Sequence, residues 1–342
     1  MSDAAFMRVA LGLAARGLGK TSPNPSVGCV LVSADGCVIG QARTADGGRP
    51  HAETQALEQA DAQFGEQVAE GATAYVTLEP CAHQGQTGPC SQALIRAKVA
   101  RVVIATLDPD PRTAGKGAAM LQAAGIDVHV GILEDQARQL NAGFIKRIET
   151  GLPYLTLKLA LSIDGKIALS NGESQWITGP AARARGHLLR AQSDFLLTGA
   201  KTVLKDEPRF TVRLAGMEDR SPRVGVVYDA DRSNQEIVEW VRTERPDWTL
   251  LPGWSFTEHL RALADQGVTR VLAESGGGVA KALLAEGLVD EIVVFRAGKI
   301  LGGDARDGIG VFSFQSLDQA PQFTRVENLA LGEDLMEVWR RN

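Results

Sequence analysis

The stretch that most constrains this chain runs over residues 51–90. It opens with His51-Ala52-Glu53. After a helix-length gap and a strand-like run it continues Glu79-Pro80-Cys81-Ala82-His83-Gln84-Gly85-Gln86-Thr87-Gly88-Pro89-Cys90. Patterning places His51 at the start of a helix, Cys81 just past the end of a strand and Cys90 at the start of the next helix. A ligand set delivered in that way requires strands and helices in alternation. One imidazole and two thiols suit a catalytic zinc, which takes three protein ligands and leaves a fourth position for water. Glu53, two residues beyond His51, is then free to move protons as a general acid and base. An H-x-E followed by P-C and a later Cys is the pattern of zinc deaminases acting on nucleobases.

Two other readings of the same residues stay open at this point. His83 could close a structural zinc site as a fourth ligand, or the thiols could be buried and the imidazole a cap. Paired short C-x-x-C spacings would favour a structural knuckle, and the chain has none.

Length and charge narrow the class. At 342 residues the chain is long enough for two domains. A net charge of −5 offers no electrostatic case for nucleic acid, which calls for a basic stripe. Four cysteines (Cys29, Cys37, Cys81 and Cys90) are too few for a disulfide scaffold. Cys29 and Cys37 flank Asp35-Gly36 in apolar runs and read as buried thiols. Residues 1–18 are amphipathic with a charge at Arg8 and do not read as a signal peptide. No apolar run approaches a membrane span. A cytoplasmic enzyme working on a small molecule is expected, with homo-oligomerisation open.

In order, the pattern predicts a helix near 6–14 and a proline-fixed loop at Ser22-Pro23-Asn24-Pro25. A hairpin follows, with strands 27–32 and 37–40 about Asp35-Gly36. Next come a helix 51–60, a strand 72–78, a helix 91–98, a strand 101–106 and the rigid loop Asp108-Pro109-Asp110-Pro111. A helix 117–124, a strand 127–130 and a single helix 135–147 complete the first unit. The pattern restarts near 149–153. Strands are expected at 154–160, 194–199, 224–228, 270–274 and 289–295, with helices at 180–192 and 279–286. The fold class is α/β in both halves: an αβα sandwich over 1–147 and a second α/β domain over 152–342.

In the second half, Ser275-Gly276-Gly277-Gly278 stands between a strand and a helix. Glycines there let backbone approach a phosphate, which the free N–H groups of a helix start favour. It is not G-x-G-x-x-G, so a Rossmann assignment is wrong. A tight turn with no ligand explains it equally well, and physical reading stops at a phosphate-bearing ligand.

Over nearly its whole length the chain resembles the bifunctional riboflavin-biosynthesis deaminase–reductases, the RibD family. The residues that carry this are Pro23-Asn24-Pro25-Ser26-Val27-Gly28-Cys29-Val30, Pro50-His51-Ala52-Glu53 and Tyr75-Val76-Thr77-Leu78-Glu79-Pro80-Cys81. In the second half they are Leu157-Lys158-Leu159-Ala160, Ser162-Ile163-Asp164-Gly165-Lys166, Gly172-Glu173-Ser174-Gln175-Trp176-Ile177-Thr178 and residues 274–278. Eight residues separate Cys81 from Cys90, a gap specific to this branch, since cytidine deaminases and tRNA-editing enzymes use two.

The resemblance implies a cytidine-deaminase-like sandwich joined to a dihydrofolate-reductase-like domain. It implies zinc-dependent removal of the 2-amino group of 2,5-diamino-6-(5-phosphoribosylamino)pyrimidin-4-one, then NADPH-dependent reduction of the opened ribose. His51, Cys81 and Cys90 would hold zinc and Glu53 would be catalytic, with Asn24, His83 and Asp108 at the pyrimidine. Ala160, Trp176, Thr202, Asp206, Gly276, Gly277, Gly278, Val279, Ala280, Lys281 and Ala282 would contact NADPH. Ser174, Arg190, Phe210, Arg213 and Glu274 would contact substrate.

The chain departs from the commoner family pattern at Thr44, Gln86, Gly88, Asp110 and Glu207. A basic residue is usual at 86, a His at 44 and an Asn at 110. The departures bear on the grip on the ribose phosphate, for which Arg43 or Arg49 offers a replacement charge. The competing enzyme reading is a nucleoside or nucleotide deaminase fused to an unrelated pyrimidine reductase. The non-enzyme reading is a ligand-binding protein with structural zinc, which would have no use for Glu53.

Overall fold

The computed structural model describes residues 1–84, 88–229 and 235–342. Two compact units divide it, 1–151 and 152–342.

The first unit begins with helix α1 (Asp3–Ala15) and strands β1 (Gly28–Val32) and β2 (Val38–Arg43), followed by α2 (Ala52–Phe64) and β3 (Thr73–Val76). It continues with α3 (Cys90–Arg96), β4 (Arg101–Ile104), α4 (Lys116–Ala123), β5 (Asp127–Val130), α5 (Glu134–Leu140) and α6 (Ala142–Thr150). The sheet runs β2-β1-β3-β4-β5, with β3, β4 and β5 parallel and β1 antiparallel to both its neighbours. Every residue of β1 is buried, because helices cover both faces, as an unbroken apolar strand requires. Cys29 and Leu31 join one core with Ala52, Ala56 and Leu94, while Val30 and Val32 join another with Phe6, Met7 and Ala137.

Two expectations need correction here. The Asp35-Gly36 turn leaves Cys37 exposed, not buried, because the hairpin tip projects the side chain past the helices that cover the sheet. The predicted single helix over 135–147 is two helices, broken at Asn141. The Asn141 side chain accepts from Ser26 N (2.9 Å) and donates to Ser26 O (3.1 Å). It pins the break to the loop before β1, a bond no local pattern reveals.

The second unit begins with β6 (Tyr154–Ser162), β7 (Lys166–Ala168), α7 (Pro180–Ala191), β8 (Phe195–Gly199), α8 (Ala200–Asp206) and β9 (Arg223–Tyr228). Next come α9 (Gln235–Glu244), β10 (Thr249–Pro252), α10 (Phe256–Asp265), β11 (Arg270–Ala273), α11 (Gly277–Ala285) and β12 (Glu291–Ala297). The short β13 (Arg306–Asp307) and the hairpin β14 (Phe323–Leu331) and β15 (Asp334–Arg341) close the chain. The large sheet runs β10-β9-β8-β11-β6-β12-β15-β14. Its first six strands are parallel, and β15 and β14 are antiparallel additions. Leu155, Leu157, Leu159 and Leu161 of β6 face one core with Phe256, Leu260 and Leu283. Across the sheet, Leu196, Phe210, Val224 and Ile237 form another. Lys158 lies between Leu157 and Leu159 on β6 and so projects to the opposite face from these leucines. Among the described residues no helix is long and apolar enough to cross a membrane.

Candidate active sites

In the first unit the predicted ligands converge. His51 is the N-cap residue of α2, Cys81 lies beyond the end of β3 and Cys90 is the first residue of α3. Their ligand atoms all lie within 4.8 Å of one another, the only such cluster of three among the described residues. His51 Nδ1 is 3.2 Å from Cys90 Sγ and 3.7 Å from Cys81 Sγ. Two thiols and an imidazole at that spacing are a donor set fit for zinc with one position left over. His83 is not in the cluster; its Nδ1 lies 3.3 Å from Thr113 Oγ1. The four-ligand structural reading therefore has no support in the geometry.

Glu53 is 3% exposed on the first turn of α2. Burial pushes its carboxyl up to about 7, with the Cys81 charge adding to the shift. The Cys90 thiol donates towards Cys81 and holds that thiol down at about 4, with His51 helping. Cys90 is pushed up in return. A dication held by His51, Cys81 and Cys90 would keep both sulfurs as thiolates.

The residues predicted to hold the pyrimidine, Asn24, His83 and Asp108, lie on loops outside the helices and strands. Asn24 donates through Nδ2 to Gly48 O at 2.9 Å. A Cβ on Gly48 would fall 2.4 Å from that nitrogen, so glycine is required for the loop before His51 to close. Asp108, raised to about 6 mainly by burial, accepts from Asp110 N at 2.9 Å. Asp110 is itself buried and takes a bidentate bond from the Arg112 guanidinium. Thr44 Oγ1 accepts from Val27 N at 2.9 Å, a structural use of that departure. Arg43 is occupied by Asp46 and Thr44 O. Gly88 is exposed, and Gln86 lies outside the described residues.

Sequence reasoning quoted Glu79 without giving it a role. The structure buries it and surrounds its carboxylate with backbone N–H groups.

In the second unit, Glu274 follows β11 and meets Arg190 of α7 in a two-point ion pair, Nε–Oε1 2.6 Å and Nη2–Oε2 2.9 Å. Lys158 Nζ stands 3.7 Å from the same carboxylate. Burial would raise Glu274, yet Arg190 and Lys158 outweigh it and hold the carboxyl at about 2. The Arg190 guanidinium also lies 5.4 Å from the centre of the Phe210 ring. These three charged residues form one cluster with Phe210 as its aromatic wall. Arg213 is exposed and Ser174 half-buried, and neither enters that cluster.

Gly276 caps α11, and a Cβ there would lie 3.9 Å from Thr202 Oγ1 of α8, so these two predicted cofactor contacts share a wall. The Oγ of Ser275 is buried with no partner. Around Gly278 there is open space. An unpartnered hydroxyl beside a helix start with free N–H groups fits a phosphate-bearing cofactor. Gly277 has another reason to be glycine, since its Cβ would come 2.9 Å from Asp307 O. Val279 and Ala280 are core residues, so only their backbone can meet a ligand. Trp176 is 58% exposed, with the Arg183 guanidinium 4.7 Å from the centre of its ring. Ala160 and Asp206 lie at the end regions of β6 and α8.

Comparison with known proteins bears on both halves. Residues 153–336 match the family model for the RibD C-terminal domain. Residues 1–106 match the model for the cytidine and deoxycytidylate deaminase zinc-binding region. The chain is 42% identical to the riboflavin biosynthesis protein RibD of Escherichia coli K12, covering 98% of each chain. It is 38% identical to that of Aquifex aeolicus, covering 99% of this chain and 98% of the other. Among solved structures it is similar to Acinetobacter baumannii RibD, at TM-score 0.86, 38% identity and 99% coverage of both chains. It is also similar to a diaminohydroxyphosphoribosylaminopyrimidine deaminase/5-amino-6-(5-phosphoribosylamino)uracil reductase from Thermotoga maritima, at TM-score 0.89, 32% identity and 99% coverage of both.

Proposed function

The chain belongs to the RibD family of bifunctional riboflavin-biosynthesis deaminase–reductases, and from that premise we propose how its residues divide the two reactions. Residues 1–147 carry the deaminase and 152–342 the reductase. The first reaction takes the 2-amino group from 2,5-diamino-6-(5-phosphoribosylamino)pyrimidin-4-one as ammonia. His51, Cys81 and Cys90 hold zinc, which when bound supplies a Lewis acid that activates water. Glu53 accepts a proton from the attacking water and returns one to the departing amine. A buried carboxyl near neutrality suits both halves of that exchange. Asn24, His83 and Asp108 hold the pyrimidine beside it.

The second reaction reduces the opened ribose of the deaminated product. NADPH, when bound, supplies the hydride. Its phosphates are held by the backbone of residues 276–282, with Ala160, Trp176, Thr202 and Asp206 placing the rest. Ser174, Arg190, Phe210, Arg213 and Glu274 hold the substrate, so the protein's work here is alignment of donor and acceptor. We place the enzyme in the cytoplasm without a nucleic-acid partner, in keeping with its net charge of −5.

The observation that carries this reading is Glu53, a buried carboxylate beside a three-donor cluster it is not part of. A structural site has no use for such a group. Purified protein is expected to hold about one zinc per chain, release ammonia from the diamino compound without NADPH, and oxidise NADPH once deamination has occurred. A zinc-loaded protein that releases no ammonia overturns the reading.

A further inference from the structure

Glu79 is 3% exposed and directly precedes Pro80 and the ligand Cys81, and neither reaction as described uses it. Its carboxylate accepts three backbone N–H groups from a single segment. Asp108 N (3.2 Å) and Gly115 N (2.8 Å) donate to Oε2, and Ala118 N (3.0 Å) donates to Oε1. Its own N–H donates to Thr106 O at 3.0 Å, just before that segment begins. The chain is shaped to this contact, because a Cβ on Gly117 would lie 2.0 Å from Pro80 O and 3.2 Å from Glu79 Cγ.

An ionised carboxylate is an acceptor only, with lone pairs for all three donors. A neutral amide would turn an N–H towards at least one of them. The charge therefore has a specific use: it ties the strand end that delivers Cys81 to the loop that carries Asp108. The loop is braced further by Asp110 N on Asp108 Oδ1 and by the Asp110–Arg112 pair. The place of Asp108 relative to the metal ligands is thus set through Glu79.

We propose that Glu79 is a positioning residue for deamination, fixing Asp108 and with it the pyrimidine at a set distance from the His51–Cys81–Cys90 cluster. This deepens the deaminase reading above and rests on it. Glu79→Gln, Asp108→Asn and the double variant test it in the full-length, zinc-loaded enzyme. Glu79→Gln is expected to keep zinc and the reductase rate. It should raise the deaminase KM about five- to fiftyfold, the scale of stranding a buried N–H, with a smaller change in kcat. In the Asp108→Asn background the same change should add less than about twofold, because two residues acting through one contact are not additive. An equal cost in both backgrounds, or an unchanged KM in the single variant, overturns the proposal. If a variant is inactive or fails to fold, amide hydrogen exchange on the unmodified enzyme decides. The Asp108, Gly115 and Ala118 amides should be protected, and exchange at the rate of exposed loop amides overturns it. Absence of ammonia release from the unmodified enzyme would instead mean that the deaminase reading itself has failed.

Discussion

Glu53 and His51 are separated by a single residue, yet the geometry gives them different chemistry. The imidazole turns to the two sulfurs, whereas Glu53 is buried beside the cluster, next to Cys90, without belonging to the ligand set. On the proposed reading, Glu53→Gln removes the proton carrier and leaves the three ligands in place. Zinc content by metal analysis should stay near wild type while the deamination rate falls about 10²–10⁴-fold. Cys81→Ser and Cys90→Ser should lose both zinc and ammonia release, and a Glu53→Gln protein without zinc would make Glu53 a ligand. This part of the site was legible in the sequence because each chemical group lies in a short local run beside a helix start or strand end. Glu79 stood in the same run but was not legible. Its three donors lie 29, 36 and 39 residues further along the chain, and only the fold brings them to it. Cys37 misled for the opposite reason, since apolar neighbours suggested burial and a turn exposed it.

Among the elements, the alternating strands and helices of the first unit followed from pattern, as did five of the six parallel strands of the second, β10 being the one not expected. What pattern missed depends on distant partners. The Asn141 break is fixed by Ser26, and the β14–β15 hairpin lacks a buried alternation because β14 is an exposed edge strand. The glycines at the start of α11 suggest room for a phosphate, but the Asp307 carbonyl against Gly277 leaves no room for a side chain there either. The contact between α7 and β11 carries a prediction of its own. Glu274, held at about 2 where a free Glu titrates near about 4.3, stabilises the fold fully above the unfolded value. That contribution is unchanged between pH 7 and 5 and is lost progressively as pH falls from about 4 towards 2. Arg190→Met leaves the buried carboxylate without its main partner, at an expected cost of about 3–5 kcal/mol at neutral pH. Pairing it with Glu274→Met should recover most of that. Denaturant melts of the three proteins across pH check this. A gap between wild type and Arg190→Met that stays constant down to pH about 2 would show that the pair is not the source.

For the whole molecule, the two activities share one chain and one substrate series, so their order is a property of the molecule as well as of each site. The sequence pattern implies two α/β halves, and in the second it points no further than a phosphate-bearing ligand. Arg190 and Glu274, proposed above to hold its substrate, stand 84 positions apart, and their pairing exists only in the fold. Deamination leaves a carbonyl where the precursor bears an amino group. A reductase site that hydrogen-bonds one of these leaves a buried group unpaired with the other, a strong basis for rejection. The reductase should therefore use the deaminated compound and largely refuse the diamino precursor. Glu53→Gln separates the two, because it is expected to slow the first reaction about 10²–10⁴-fold while leaving residues 152–342 unchanged. Given the diamino compound, this protein should leave NADPH almost unconsumed over a time in which wild type exhausts it. Given the deaminated compound, it should oxidise NADPH at the wild-type rate, followed by absorbance at the nicotinamide band. Rapid NADPH consumption by Glu53→Gln on the diamino compound would reverse the order, placing ribose reduction before loss of the amine.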